Sequence, residues 1–452
     1  MEKLFKLKEH NTTVKTEIMA GIITFISMVY ILAVNPEILG NAGMEPGAVF
    51  TATAVSAAAA TVCMAFFANY PVVLASGMGL NAYFAYSVCA PMAEAGVQDP
   101  WQIALTAVLC EGIIFIILSM FKFRETLVNK VPKNLKLGIT AGIGLFITIV
   151  ALKGAGIVIG SEATLVDLGN VGSASFILAF VGLIIIGILN HYKVPGSILW
   201  GILATWILGM IAQKIGWYQV IEGTTKSLFP DFSKSSFIPV APNFFKFNFS
   251  WVGAHVSEFI VIVFSFLFVD LFDTVGTLIG VADKGGLLDK DGKLPKAGGA
   301  LMADAVGTVI GACMGTSTVT SYVESSAGVA AGGRTGLTAV TAAVLFILSL
   351  FLAPIFLAIP SFATAPALMY VGLLMLSSVK KMEFDGDVAD VIGGFVAIVM
   401  MPFAYSIATG IMFGILTWII LKVCTGKIKD VHPVMWVSGA LFLFRVVTLI
   451  IG

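Results

Sequence analysis

Charge is what this 452-residue chain has least of. Only 12% of its residues are Asp, Glu, Lys or Arg, and 26 basic residues cancel 26 acidic ones. A soluble globular chain carries about 25% charged residues, so a soluble enzyme is excluded. A nucleic-acid partner is excluded with it, because there is no basic excess to hold phosphates. The five cysteines, Cys63, Cys89, Cys110, Cys313 and Cys424, are odd in number and scattered, which excludes a disulfide framework or a CxxC metal site. Histidine is nearly absent, at four. HExxH, GxSxG and Walker A patterns are missing, so neither a hydrolase motif nor an ATP-driven pump is visible. No cofactor is implied.

What is present is apolar sequence. Hydrophobic residues make up 58% of the chain, and mean hydropathy is +0.99. The runs are long and continuous, which fits helices and not the alternating strands of a membrane barrel. The fold class expected is an all-α polytopic membrane protein with about fourteen spans. They fall near 18–38, 48–69, 71–90, 102–121, 137–152, 174–190, 196–213, 254–280, 298–313, 315–331, 336–353, 361–379, 388–403 and 405–422. The stretch 433–450 carries Arg445 and reads as a terminal helix at the interface, not a crossing. No cleavage site follows the first span, so it reads as retained. With fourteen spans, 20 of the 26 basic residues share one side with both termini. Positive residues stay cytoplasmic. Both termini are therefore expected in the cytoplasm of a multi-pass plasma-membrane protein embedded in membrane lipid.

The halves repeat. Val131-Pro132 precedes "KNLKLGITAGIGLFITIV", and Ile359-Pro360 precedes "SFATAPALMYVGLLML" half a chain length later. Two copies of an odd-span unit insert in opposite directions. Inverted repeats mark secondary transporters, with substrate held near the midplane at broken helices. The third span of each half is the place to look. "ASGMGLNAYFAY" (Ala75 to Tyr86) is broken by glycine. "GTSTVTSYVESSAGVAAGG" (Gly315 to Gly333) is dense in Ser and Thr. Neither suits lipid, and unwound backbone at this depth needs protein or a cavity around it.

Six acidic residues lie inside spans: Glu111, Glu258, Asp270, Asp273, Asp304 and Glu324. Glu258 reads as interfacial, Asp304 as a cap or pair, and Glu111 as an interhelical hydrogen bond. The other three form a constellation. Asp270 and Asp273 share a helix face with Thr274 and Thr277, and Glu324 lies in the second broken span. Three carboxylates without a basic partner cannot all remain ionised at low dielectric, so at least one is expected to carry a proton near neutral pH. Asp270, Asp273 and Glu324 are therefore the proton-coupling candidates. Carboxylates also accept N–H bonds from a planar heterocycle.

"GMGLNAYFAY" (Gly77 to Tyr86), "FVDLFDTVGTLIG" (Phe268 to Gly280) and "TSYVESSAGVAAGGRTG" (Thr320 to Gly336) resemble the AzgA-like purine permeases, within the wider nucleobase–ascorbate and nucleobase–cation symporters. The likeness covers nearly the whole chain. It implies two inverted seven-span repeats, a core domain and a gate domain, short extended strands in spans 3 and 10, and dimerisation through the gate. The implied partition is 1–125 (core, spans 1–4), 126–250 (gate, spans 5–7), 251–335 (core, spans 8–10) and 336–452 (span 11, then the rest of the gate and the terminal helix). It implies substrate contact by Asp270, Glu324 within Tyr322-Val323-Glu324, and Asn81, with Asp273 auxiliary. Gly79, near Asn81, is a further substrate-binding candidate, and Phe25, Phe84 and Tyr322 are candidate walls for a flat base. Uracil-type relatives place a histidine where this chain has Thr274, which argues against uracil. The expectation is a proton-gradient-driven importer of guanine or hypoxanthine, then adenine. Other substrates on the same architecture (xanthine, uracil, an inorganic anion), a channel and an intramembrane hydrolase are the alternatives.

Overall fold

A computed structural model describes residues 2–120, 131–161, 164–220, 227–230, 239–287 and 294–451. Of the 26 basic residues, Lys122, Arg124, Lys130, Lys226, Lys234, Lys290 and Lys293 lie outside the described residues. The chain is overwhelmingly helical, as expected. Among the described residues, eleven helices are long and apolar enough to cross a bilayer, from Val14–Gly40 to Ile407–Cys424. Three further passes bring the series to fourteen. Val388–Phe403 is a shorter apolar helix. The third and tenth passes are broken, each opening with a strand: β1 (Leu74–Ser76) and β4 (Val319–Ser321). An exposed hairpin of β2 (Val158–Ser161) and β3 (Leu165–Leu168) lies between spans 5 and 6.

The passes are numbered in chain order. Span 1 is Val14–Gly40 and span 2 Pro46–Phe67. Span 3 is β1 followed by Met78–Ala82, a π-helical turn at Tyr83–Cys89 and Ala90–Glu94. Span 4 is Pro100–Met120, span 5 Lys133–Gly154, span 6 Ala174–His191 and span 7 Ser197–Lys214. Span 8 is Val256–Gly285 and span 9 Ala297–Met314. Span 10 is β4 followed by Ser325–Ala330. Span 11 is Gly336–Phe356, span 12 Ser361–Lys381, span 13 Val388–Phe403 and span 14 Ile407–Cys424.

The repeat is visible in the packing. Span 4 packs on spans 8 and 9, and seven passes on, span 11 packs on spans 1 and 2. Span 6 packs on 7 and 12, and span 13 on 14 and 5. Two contacts join equivalent elements across the two-fold relation. In one, β1 pairs with β4 antiparallel, with Ala75 opposite Thr320. In the other, span 5 meets span 12 at Gly144 and Gly372, which keep the same spacing as the two prolines. A Cβ added at Gly144 would stand 2.6 Å from the Gly372 carbonyl oxygen. Pro132 and Pro360 are the residues immediately before the two helices. Proline pre-sets the entry to a helix without removing a needed N–H.

Buried polar side chains tie helix ends. Glu17, in the first turn of span 1, is fully buried. It accepts from the backbone N–H groups of Arg334 (2.9 Å), Thr335 and Thr338, and from the Thr338 hydroxyl (2.6 Å). A remote carboxylate thus caps the start of span 11, where unpaired N–H groups and the positive helix end favour an anion.

Asp387 caps span 13 through the Ala389 N–H (2.9 Å) and pairs with Lys422 (2.8 Å) and Lys427 (2.7 Å). Those two hydrogen-bonded ammonium groups hold its carboxyl well below the usual carboxylate range. A depressed folded-state pKa stabilises fully above the unfolded value, about 4, and that stability is lost progressively as pH falls from there through the folded value. Asp387→Asn is expected to cost about 1–3 kcal/mol at neutral pH. Thermal unfolding in detergent should show it, with the gap to wild type narrowing progressively as pH falls below about 4.

The terminal helix is Pro433–Ile451. It packs lengthwise on spans 8 and 14. Gly439 meets Ile419, Phe442 meets Phe264 at 5.4 Å between ring centres, and Arg445 reaches Glu258 at 3.6 Å.

Candidate functional site

A two-stranded ribbon inside a membrane protein must satisfy its own edges. Here side chains do so. Thr61 of span 2 binds both backbone groups of Leu74, at 3.0 and 3.1 Å. Its counterpart in span 9, Thr308, donates to the Val319 carbonyl at 3.1 Å. Ser325 accepts from the Val73 N–H (3.0 Å), and the Tyr322 hydroxyl donates to the Ser76 carbonyl. Both strands are buried throughout. The Ser- and Thr-rich composition that makes the second motif unsuited to lipid is what holds the ribbon.

Three polar groups cluster on this ribbon. On one side stands span 8. The Thr274 hydroxyl lies 3.0 Å from Asp270 Oδ1, 3.0 Å from both carboxylate oxygens of Asp304, and 2.7 Å from the Thr320 hydroxyl on β4. All four residues are buried. A hydroxyl has one proton to donate, so two carboxylates share one donor. The i, i+4 spacing of Asp270 and Thr274 produces the first contact. Asp304 comes from another helix and does not behave as a terminal cap. Asp273 faces the turn after β1, where a Cβ on Gly77 would stand 3.8 Å from its Oδ2.

The second group is Glu324, at the start of the helix after β4, which accepts from the Tyr30 hydroxyl of span 1 at 2.6 Å. The third is Asn81, fully buried in the helix after β1. Its side-chain oxygen accepts from Ser76 Oγ (2.8 Å) and from the Ser317 hydroxyl. Its amide nitrogen has no hydrogen-bond partner among the described residues.

Asp270, Asp273, Glu324, Asn81 and Tyr322 therefore assemble on or beside the one strand pair. The Tyr322 hydroxyl is taken by backbone, which holds the strand end in place. Phe84 is buried against Phe266 (6.4 Å), one turn before Asp270 on span 8, and Phe25 packs edge-on against Phe346 (5.2 Å). Gly79 is where span 3 meets span 5: a Cβ there would stand 2.8 Å from Ile143 Cγ2. Glu111 accepts at 2.8 Å from Thr318, the residue before β4. Tyr30, Thr320, Ser76 and Asn35 are absent from the sequence-based set. Asn35 donates to Thr53 (2.7 Å) and Thr316 (2.9 Å). An isolated polar residue in an apolar helix gives no sign of which distant carboxylate or hydroxyl it will meet.

Comparison with known proteins bears on this site. The profile of the Permease family matches residues 15–413. This chain belongs to the Permease family. The permease is thus a multi-pass membrane transporter and not an enzyme. It is 40% identical to the adenine permease AdeP of Escherichia coli, over 99% of this chain and 96% of that one. It is 42% identical to the guanine/hypoxanthine permease PbuG of Bacillus subtilis, over 98% of each. Among solved structures, the transmembrane domain of a cyanobacterium bicarbonate transporter, BicA, superposes with a TM-score of 0.65 over 88% of the permease and 97% of that domain. At 16% identity, that likeness concerns the fold alone.

Proposed function

We propose that this permease imports purine nucleobases across the plasma membrane, coupled to protons, by alternating access. In this reading the core (spans 1–4 and 8–11) carries the site and moves against the gate (spans 5–7 and 12–14). Two copies pair through the gate, and the lysine-rich edge faces the cytoplasm. The observation that carries the reading is the Asn81 amide nitrogen, buried without a partner among the described residues beside the strand pair. A buried unpaired donor costs about 1–3 kcal/mol. A purine ring nitrogen or exocyclic oxygen would offset that cost. The ring N–H groups of the base would be met by the carboxylates of Asp270 and Glu324. Donor and acceptors together suit a neutral planar heterocycle better than an inorganic anion, which carboxylates repel. Asp270, Asp273 and Glu324 are the groups that would carry the coupling proton, and coupled acids titrate as a set. The adenine and guanine/hypoxanthine permeases among its relatives point to the same substrate class.

The test is uptake of labelled adenine, guanine and hypoxanthine in cells stripped of their own purine permeases. Accumulation above the external concentration is expected for at least one base, and a protonophore should abolish it. Equilibration without accumulation, unaffected by the protonophore, would sink the proton-coupled reading.

A further inference from the structure

A cavity of about 500 Å³ opens away from the strand pair, between spans 3, 8 and 14 and the terminal helix. Its walls are unlike a lipid-filled gap. Trp251 and His255 stack nearly parallel (11°) at 4.4 Å. Glu258 and Arg445 face each other at 3.6 Å, both partly exposed. Ser406 and Thr409 add hydroxyls. At its inner end Tyr83, almost fully buried, sits edge-on against Phe266 at 4.6 Å. Phe266 is one turn from Asp270 on span 8, so Tyr83 links the cavity wall to the helix that carries that carboxylate.

The direction of the terminal helix decides which side the cavity opens on. Gly439 lies against Ile419, while Arg445, further along the helix, shares the cavity with Met412, earlier in span 14. Phe442 lies against Phe264, and Arg445 against Glu258, earlier in span 8. The helix therefore runs antiparallel to both. At about 1.5 Å per residue its 19 residues rise about 28 Å, close to the hydrocarbon thickness. Arg445 reaches the end of the bundle where spans 8 and 14 begin, opposite the N-terminal segment.

We infer that the terminal helix is a fifteenth crossing, and that the cavity it walls is the outward vestibule through which a planar heterocycle enters. Arg445 presents a flat fork of N–H donors to ring nitrogens and carbonyl oxygens. Glu258 accepts N–H groups, and the Trp251–His255 stack offers a face to lie on. This inference rests on the proposed nucleobase transport for its ligand, but not for its topology.

Two measurements test it. Ile450→Cys and Leu4→Cys are placed singly in a background with the five native cysteines replaced by serine or alanine, and treated with a membrane-impermeant maleimide. Ile450 and Leu4 are both exposed. Cys at 450 is expected to react in intact cells and Cys at 4 only after permeabilisation. Labelling of both from one side would overturn the crossing. Arg445→Gln and Glu258→Gln are then assayed for purine uptake. KM should rise roughly tenfold, the loss of one charged hydrogen bond, with maximal rate kept and Arg445→Lys intermediate. Unchanged KM in both, with wild-type uptake intact, would overturn the vestibule. Wild type that transports no purine would instead defeat the parent reading, and the labelling would still decide the topology.

Discussion

Glu324→Gln is expected to abolish proton-driven accumulation of purine, and Asp270→Asn to abolish binding as well. Both changes keep size and shape, so the fold should survive, and heat stability in detergent checks that it does. The two sites are built differently. Glu324 accepts from the Tyr30 hydroxyl at 2.6 Å, at the start of a short helix. Asp270 shares Thr274 with Asp304, in the middle of a long one. Losing a carboxylate that binds in a desolvated site costs about 2–5 kcal/mol, which is roughly 30-fold to several thousand-fold in uptake. Exchange of labelled for unlabelled base separates the roles. Glu324→Gln should retain exchange without a gradient if Glu324 carries the proton, while Asp270→Asn should lose exchange too. Tyr30→Phe removes one neutral donor and should cost about 1 kcal/mol, roughly fivefold. Normal accumulation by both carboxylate variants would overturn the assignment of the site.

A second large effect is expected where no polar group takes part. Gly138→Val in span 5 should leave little folded protein. A Cβ at Gly138 would stand 2.5 Å from the Gly394 carbonyl oxygen and 2.8 Å from its Cα, in span 13. There is only backbone to yield. In a membrane, helices gain little from hiding apolar surface from lipid, so close backbone approach through small residues is a main source of association. Separating spans 5 and 13 at Gly138 would also disturb the span 5 to span 12 contact at Gly144 and Gly372, where the two repeats meet. A loss of more than about 3 kcal/mol follows from overpacking against rigid backbone. Size-exclusion profiles of the detergent-solubilised variant should show aggregate in place of a folded peak. Gly187→Val, in span 6 with open space around the same atom, is the control and should behave as wild type.

Much of this molecule is legible in its composition and order. Hydrophobic run length is local, so the passes can be counted from sequence, and the low charge forces a membrane reading. The two equivalent prolines, Pro132 and Pro360, and the two broken motifs locate the repeat, because proline and glycine act on the backbone where they stand. Asp270, Asp273 and Glu324 are conspicuous because ionised groups are costly at that depth. Their neighbours are not. Tyr30 meets Glu324 from the other half of the chain, and Glu17 of span 1 caps the start of span 11. Asp304 reads as a cap or a pair, and only packing shows which hydroxyl it shares with Asp270. The terminal helix reads as interfacial because Arg445 interrupts it, and Glu258, which removes that objection, lies far back at the start of span 8. Sequence by itself determined the fourteen membrane segments from span 1 to span 14 and which carboxylates go with them, since both follow from local transfer energies. Only the tertiary structure decided who partners whom, because a hydrogen bond or an ion pair is set by the packing of distant helices and leaves no mark on the residues nearby.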